Sequence, residues 1–523
     1  MKKKKRKAPA QTVKQKPVSS PFLGLDQVYN ILLILILAVY VFLLFRFSTI
    51  GEIAPHDWDE SLYYQSSIVF SENNSLKASI FIEELVSKIF ESDYYGPLYP
   101  IFFGSWCKLM GNAEKSFIYT NFILLALSMF VLYKMTLVST KDKKWIALVL
   151  LLGAPVLNYA FYFMPCILEL VFAGILIYYL LLIQQKKDGQ YGVLLFQYCC
   201  LTIIISFFKQ NFILFLFGIL PYSKNKVQFS LYTLSIFLGI FITKLYASYF
   251  AAPAFAEGLK AFDHLAHLDF SKAFSSFIKY AGNNLKYLFN LYENLADPKT
   301  QSVVDGGPSI SYYLIYFVLF GSPIIALFLG YTRKNKLLLA FGLIVTITLS
   351  SYIFMYHTNY YYLIRITIPL LLLNFIVITL MNNRLKNIIQ ISLLVILILL
   401  FPTSFAFVNS NQDLKKEVHA NTEIIKGNFS SLSKIGIDQE TTTVLFDPAF
   451  YDTYNTLEFL LALPLASDNG NRIRYTVNYR LKDRFSLLGK ITVDYILSPF
   501  LMNFENASLV EQTPNYYLYQ INK

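Results

Sequence analysis

Two stretches of this chain concentrate residues that could do chemistry. The first is Pro55-His56-Asp57-Trp58-Asp59-Glu60-Ser61-Leu62-Tyr63-Tyr64. Part of it reads as a helix start, with Asp57 as N-cap and Glu60 reaching back as in a capping box. The helix dipole favours acidic residues at that position. This leaves Asp59 free, one turn before Tyr63. A carboxylate there could accept the proton of an attacking hydroxyl, or bind a divalent cation through oxygen. The second stretch is Asp93-Tyr94-Tyr95-Gly96-Pro97-Leu98-Tyr99-Pro100. Gly-Pro marks a turn and Pro97 suits the first position of a helix, with Asp93 as a second acidic candidate.

Five more ionisable residues lie in or beside long apolar blocks: Arg46, Glu169, Lys209, Lys244 and Arg365. A charge within a membrane span is costly and is a functional candidate by default. Arg46 and Lys244 sit where a long cationic side chain can snorkel to the headgroups. Lys209 and Arg365 sit at tight turns, Arg365 after His357 and the run Tyr360, Tyr361 and Tyr362, where an anion could bind. Glu169 is about six residues, or roughly 9 Å, inside its block. A carboxylate at that depth needs a cationic or hydrogen-bonding partner.

The elements that must position these residues follow from composition. The 523 residues are 55% hydrophobic and 15% charged, with mean hydropathy +0.47. Soluble domains carry roughly a quarter charged residues. The apolar residues come in blocks of about twenty, the length that crosses a hydrocarbon core, so the chain is a polytopic membrane protein. Its net charge of +12 sits in short clusters between the blocks, which membrane topology explains and nucleic-acid binding does not. Cys107, Cys166, Cys199 and Cys200 all lie in or beside apolar segments, so they imply no disulfide framework.

About eleven spans are predicted, at 28–47, 117–138, 145–157, 163–183, 192–208, 212–221, 228–249, 311–330, 337–355, 366–381 and 388–408. Alternate connections carry lysine and arginine: Lys141, Lys143 and Lys144; Lys186 and Lys187; Lys224 and Lys226; Arg333, Lys334 and Lys336; Arg384 and Lys386. All fall on the side of the basic tail 1–27, which the positive-inside rule makes cytoplasmic. Residues 48–116, 250–310 and 409–523 then lie outside, and the tail itself is read as disordered.

The segment 48–116 carries amphipathic stretches near 59–70 and 77–91. In 250–310, Leu259, Phe262, Leu265, Leu268 and Phe274 recur at near-helical spacing, as in helices lying on a membrane. Residues 409–523 contain strand-like runs at Thr443–Phe446, Ile491–Leu497 and Tyr516–Ile521, the pattern of a small α/β domain. The fold class is thus an all-α membrane bundle with a small α/β C-terminal extracytoplasmic domain. His264 and His267 could form half a metal site, but without a third ligand nearby they read as surface residues. Asn73, Asn428 and Asn506 head glycosylation sequons.

Taken in order, these features resemble the GT-C superfamily of membrane glycosyltransferases, in particular the protein O-mannosyltransferases and the lipid A aminoarabinose transferase group. The resemblance rests on Asp59-Glu60-x-x-Tyr63 after the first span, Pro97-Leu98-Tyr99 later in that loop, Glu169, Phe208-Lys209-Gln210, and Arg365-x-x-x-Pro369. The topology it covers runs over 28–408. One departure is Tyr95-Gly96-Pro97, where that group carries a Lys-Pro-Pro type sequence; Lys209 or Arg365 would have to supply the missing cation. The resemblance implies sugar transfer from a polyprenyl-phosphate donor to a hydroxyl on a lipid, glycan or protein at the outer face of a bacterial inner membrane, with inversion. It implies Asp59 as base or metal ligand (Mg or Mn) with Glu60 beside it. Glu169, Asp93 and Tyr63 would support the acceptor or metal, and Lys209 with Arg365 would bind the donor phosphate.

Two other classes remain open. An O-antigen-type polymerase or ligase would use a diphosphate carrier, and such proteins carry an arginine-rich outer loop. The segment 250–310 has Lys260, Lys272, Lys279, Lys286 and Lys299 but no arginine. A lipid or solute transporter would show internal repeats and charges near mid-membrane. Neither feature is apparent here.

Overall fold

The computed structural model describes residues 24–49, 51–55, 58–74, 76, 80–82, 96–111, 113–186, 188–250, 264, 267–289, 309–355, 360–381, 383–435, 441–463, 472–477, 488 and 492–522. The side chains of 58–59, 73, 113–114, 188–190, 285–289, 309–320, 354–355, 360–367, 383, 433–434, 441, 451, 456–457 and of the strands 80–82 and 472–477 lie outside that description.

Helix α1 (Leu25–Thr49) sets the pattern of the bundle. Tyr29, Ile36, Tyr40, Leu43 and Phe47 are buried at heptad-like spacing, while Ile34, Leu35, Val41, Phe42 and Phe45 on its other faces are exposed. A soluble helix would make that second face polar. Here it is apolar, as a lipid-facing surface must be. The chain continues through α2 (Trp58–Asn73), the strand β1 (Ile80–Ile82), α3 (Leu98–Met110) and α4 (Ala113–Lys134). Helices α5 (Thr140–Leu152) and α6 (Ala154–Ala160) then meet at a 64° bend. The bend falls at Gly153-Ala154-Pro155, where proline cannot continue the α5 hydrogen-bond ladder. Helix α7 (Cys166–Gln185) is buried on nearly every side and forms the centre of the bundle.

After α8 (Asp188–Phe208) comes a 3-10 helix, Gln210–Tyr222. Runs of this kind longer than a few residues are uncommon. Its burial has the matching period of three, with Phe212, Phe215 and Gly218 in one row and Ile213, Leu216, Ile219 and Tyr222 in the next. At ~2.0 Å per residue its 13 residues reach about 26 Å, against roughly 20 Å as an α-helix. That explains how the short apolar stretch expected at 212–221 can cross. Helices α9 (Lys226–Phe250), α10 (Phe270–Phe289), α11 (Ser309–Thr332), α12 (Lys336–Met355), α13 (Tyr360–Thr379) and α14 (Asn383–Asn428) complete the bundle.

Among the described residues, seven helices are long and apolar enough to cross a membrane, and the bent α5–α6 pair makes an eighth. Three shorter apolar pieces, Gln210–Tyr222, Gly321–Thr332 and Ile368–Thr379, fall in the remaining predicted spans. One end of the bundle is basic and tied by Lys144 to Asp26 and by Lys386 to Asp142. Asp142 also accepts from Ser139 and Gln390.

Three expectations are corrected. The helix of the last span does not end at 408: α14 is one 46-residue helix, about 69 Å long. Its buried stripe runs on through Val408, Asn411, Lys415, Val418, Thr422 and Ile425. The amphipathic stretch expected at 77–91 contains a strand, since Ile80–Ile82 pairs in parallel with β3 (Arg472–Val477). In the second long segment, Leu268 sits in a turn with φ 59 and α10 begins after it. Leu259, Phe262 and Leu265 lie outside the described residues.

Beyond α14 the chain adds β2 (Thr441–Phe446), the short α15 (Thr456–Ala462), β4 (Tyr495–Ser498), β5 (Ala507–Gln512) and β6 (Tyr517–Ile521). The six-stranded sheet has the order β1-β3-β2-β4-β6-β5. Strands β1 to β4 run in parallel, with β6 and β5 as an antiparallel edge. Its first strand comes from the loop after the first span, so that loop and the C-terminal domain form one structure. Gln65 of α2 strengthens the joint by donating to the Leu460 carbonyl at 3.1 Å.

Candidate active site

The site lies at the end of the bundle opposite the basic one, and α2 enters it first. Glu60 is fully buried in the first turn of α2. Its Oε1 accepts from the Phe163 backbone N–H at 2.9 Å and lies 2.5 Å from Lys415 Nζ. The expected backward reach to Asp57 is therefore not what engages this oxygen. Lys415 also stands over the rings of Tyr162 and Phe163, at 4.9 and 4.6 Å from their centroids. Its carbonyl accepts from Ala54 N at 3.1 Å. A buried carboxylate is tolerated only when paired and hydrogen-bonded, and Glu60 has both kinds of partner. The arrangement pins the entry of α2 to α14 and to the turn between α6 and α7.

The same turn leads to the second ion pair. Pro165 ends it and caps α7, so Glu169 falls in the first helical turn, closer to the helix end than the sequence suggested. The positive end of the helix dipole favours a carboxylate there. Glu169 Oε2 lies 2.5 Å from Lys209 Nζ, and both residues are buried. Lys209 has extended backbone (φ −148, ψ 112) at the break between α8 and the 3-10 helix. That break lets one side chain reach inward at the junction. The resemblance implies separate roles for Glu169 and Lys209; the fold brings them together.

An aromatic bridge joins the two ion pairs. Tyr63, one turn beyond Glu60, meets Tyr99 edge to face at 5.7 Å, and Tyr99 meets Phe208 in the same way at 5.6 Å. The Tyr99 hydroxyl donates to Glu169 Oε1 at 3.4 Å. Helix α3, which carries Tyr99, starts at Pro97 as its N-cap, one position from the expected start, after Gly96 with φ +87. Tyr99 is held there because α3 packs closely on α2: a Cβ at Gly104 would stand 2.6 Å from the Ser67 carbonyl oxygen.

Lys209 also lines a small, half-open cleft between the 3-10 helix, α12 and α13, with room inside for about one water, together with Asn211, Phe212, Phe215, Thr348, Tyr352, Pro369 and Leu370. Asn211 donates to the Tyr352 hydroxyl. The Thr348 hydroxyl is buried and has no hydrogen-bond partner among the described residues. Arg365 lies on α13, one turn before Pro369. Its side chain, like that of Asp59 in the first turn of α2, lies outside the described residues, as does Asp93 entirely.

No three His, Cys, Asp or Glu side chains converge as metal ligands among the described residues. Glu60 and Glu169 are each engaged by a lysine. Lys415 does not stand out in the sequence, because hydropathy falls after 408 and the chain beyond reads as a separate domain. Its signal is the three-and-four spacing of Val408, Asn411, Lys415 and Val418, which continues the buried stripe of the helix. Lys244, by contrast, is exposed on α9, and Arg46 pairs with Asp413 at 3.0 Å.

No family model and no curated protein sequence matches the chain. Its fold is nevertheless shared with a solved protein. The crystal structure of ArnT from Cupriavidus metallidurans in the apo state aligns over 94% of this chain and 98% of that one, with TM-score 0.51 and 9% sequence identity. The structure of the same protein bound to undecaprenyl phosphate aligns over 93% and 97%, with TM-score 0.51 and 10% identity. The bundle with its C-terminal domain thus shares the fold of that protein, in line with the resemblance drawn from the motif order.

Proposed function

We propose that this chain is a membrane glycosyltransferase that moves a sugar from a polyprenyl-phosphate donor to a hydroxyl acceptor at the outer face of the membrane. The observation that carries this reading is Lys209, a buried lysine at the non-basic end of the bundle, lining a cleft beside Thr348 and Asn211. The likeness to a protein that binds undecaprenyl phosphate supports the choice of donor class.

In the reaction, the acceptor hydroxyl oxygen attacks the anomeric carbon as the bond from that carbon to the phosphate oxygen breaks. The electron pair leaves with the polyprenyl phosphate, where Lys209, aided by Arg365, stabilises the charge. Such fixed charge at a developing anion is commonly the largest catalytic contribution. The acceptor proton passes to Asp59, next to the anchored Glu60. One displacement with one base inverts the anomeric carbon. A divalent cation at Asp59 and Asp93 would lower the acceptor hydroxyl's proton affinity. The basic end faces the cytoplasm under the positive-inside rule, which puts the cleft and the C-terminal domain outside.

The donor class is tested by supplying membranes containing the protein with radiolabelled sugars on polyprenyl monophosphate or diphosphate carriers. Transfer from the monophosphate donor alone is expected. Transfer only from the diphosphate would move the chain to the polymerase or ligase class, and transfer from neither would favour transport.

A further inference from the structure

Lys209 faces two ways. Its ammonium rests on Glu169 at 2.5 Å, yet the same residue lines the cleft. A lysine already paired is a poor phosphate ligand until its partner lets go. Glu169 in turn has few ways to let go, since its other partner among the described residues is the Tyr99 hydroxyl at 3.4 Å, a long hydrogen bond. The cleft also holds a polar group with no protein partner. The Thr348 hydroxyl is 4% exposed and has no hydrogen-bond partner among the described residues, and a buried polar group left so is unfavourable.

Resting on the functional reading above, we propose that Glu169 is an internal competitor for the donor phosphate. In the empty site its carboxylate occupies Lys209. When the polyprenyl phosphate enters the cleft, Lys209 exchanges from Glu169 to the phosphate oxygens, and Thr348 donates its hydroxyl to the same group. Tyr99 then becomes the remaining hydrogen-bond donor to Glu169. After transfer the exchange reverses, and Glu169 draws Lys209 away from the product, a polyprenyl phosphate with one more ionisable oxygen than the donor. Competition of this kind lowers affinity by the fraction of time the lysine is free. Glu169 would thus trade binding strength for product release.

The test measures binding of undecaprenyl phosphate to the full chain in lipid nanodiscs, with undecaprenol as the uncharged control. Glu169→Gln keeps the size and a hydrogen bond to Lys209 but removes the charge. It is expected to tighten binding at least about tenfold, Lys209→Met to weaken it by a similar factor, and the double variant to match Lys209→Met. Equal or weaker binding by Glu169→Gln would overturn the competitor role while leaving the functional reading intact. An intact protein that does not prefer the phosphate over undecaprenol would overturn the functional reading itself. Tyr99→Phe leaves the ion pair in place but removes the donor on which Glu169 depends after the exchange. It should weaken phosphate binding severalfold; unchanged binding would mean that Lys209 never leaves Glu169.

Discussion

Lys415 and Glu60 are 355 residues apart in sequence and 2.5 Å apart in space, both fully buried. Their pairing joins the helix that leaves the last span to the helix that follows the first. Two outer contacts flank it, Arg46 with Asp413 and His419 with Glu52, but these are partly exposed and contribute little. The buried pair is what fixes the first turn of α2, and with it the backbone of Asp59.

Removing one partner of that pair should be worse than removing both. Lys415→Met leaves Glu60 charged and buried, and should cost roughly 3–5 kcal/mol. Combining it with Glu60→Gln should recover a good part of that loss. Thermal unfolding of the detergent-solubilised protein would measure it, and a double variant no better than Lys415→Met would deny that the two groups act as a pair.

The contact of α3 on α2 makes a second prediction. A side chain at Gly104 meets the Ser67 carbonyl oxygen at 2.6 Å and the Phe70 ring at 2.8 Å. Backbone cannot swing aside as a side chain can, so Gly104→Val should destabilise by about 1–3 kcal/mol. It should also shift Tyr99, and therefore alter donor binding in the same sense as Tyr99→Phe. A neutral Gly104→Val would contradict the close packing.

Cys107, on the same helix, offers a check that needs no substitution. Burial pushes its thiol up to about 12, leaving on the order of one part in ten thousand as thiolate at pH 8. In the folded protein it should resist iodoacetamide for hours and react once the chain is unfolded. Mass spectrometry of the labelled peptide would report the difference; rapid alkylation in the native state would place α3 elsewhere.

The sheet that spans two distant parts of the chain can be tested by cross-linking. Phe81 and Thr476 are neighbours in the parallel register of β1 and β3, close enough in backbone for a disulfide. The variant Phe81→Cys/Thr476→Cys should form an intramolecular disulfide under mild oxidation, visible as a mobility shift without reductant. Its absence would separate the first loop from the C-terminal sheet.

Much of this architecture was legible because a bilayer imposes simple rules. Blocks of apolar residues located the spans, and the lysine clusters sorted the loops, since both depend on composition more than on partners. The 3-10 helix was seen only as a short span, because its period of three differs little from 3.6 over ten residues. The extension of α14 was legible in the spacing from Val408 to Ile425 but was hidden by a boundary drawn where hydropathy falls. Strand β1 could not be read at all: three residues carry no periodicity, and their partner lies 395 positions away. For the site, the residue types were in view and the pairings were not. Glu169 plainly needed a cation, yet only the fold brings Lys209 to it, and nothing in the sequence around Glu60 pointed to Lys415.

The most direct measurement is sugar transfer from a radiolabelled polyprenyl-phosphate donor in membranes, comparing the intact chain with Asp59→Asn and Lys209→Met at matched expression. The account predicts transfer by the intact protein and a loss of about a hundredfold or more in each variant, the first for want of a base and the second for want of a charge at the leaving phosphate. Full transfer by Lys209→Met would contradict the account, because the cleft built around that lysine would then not be where the donor phosphate sits.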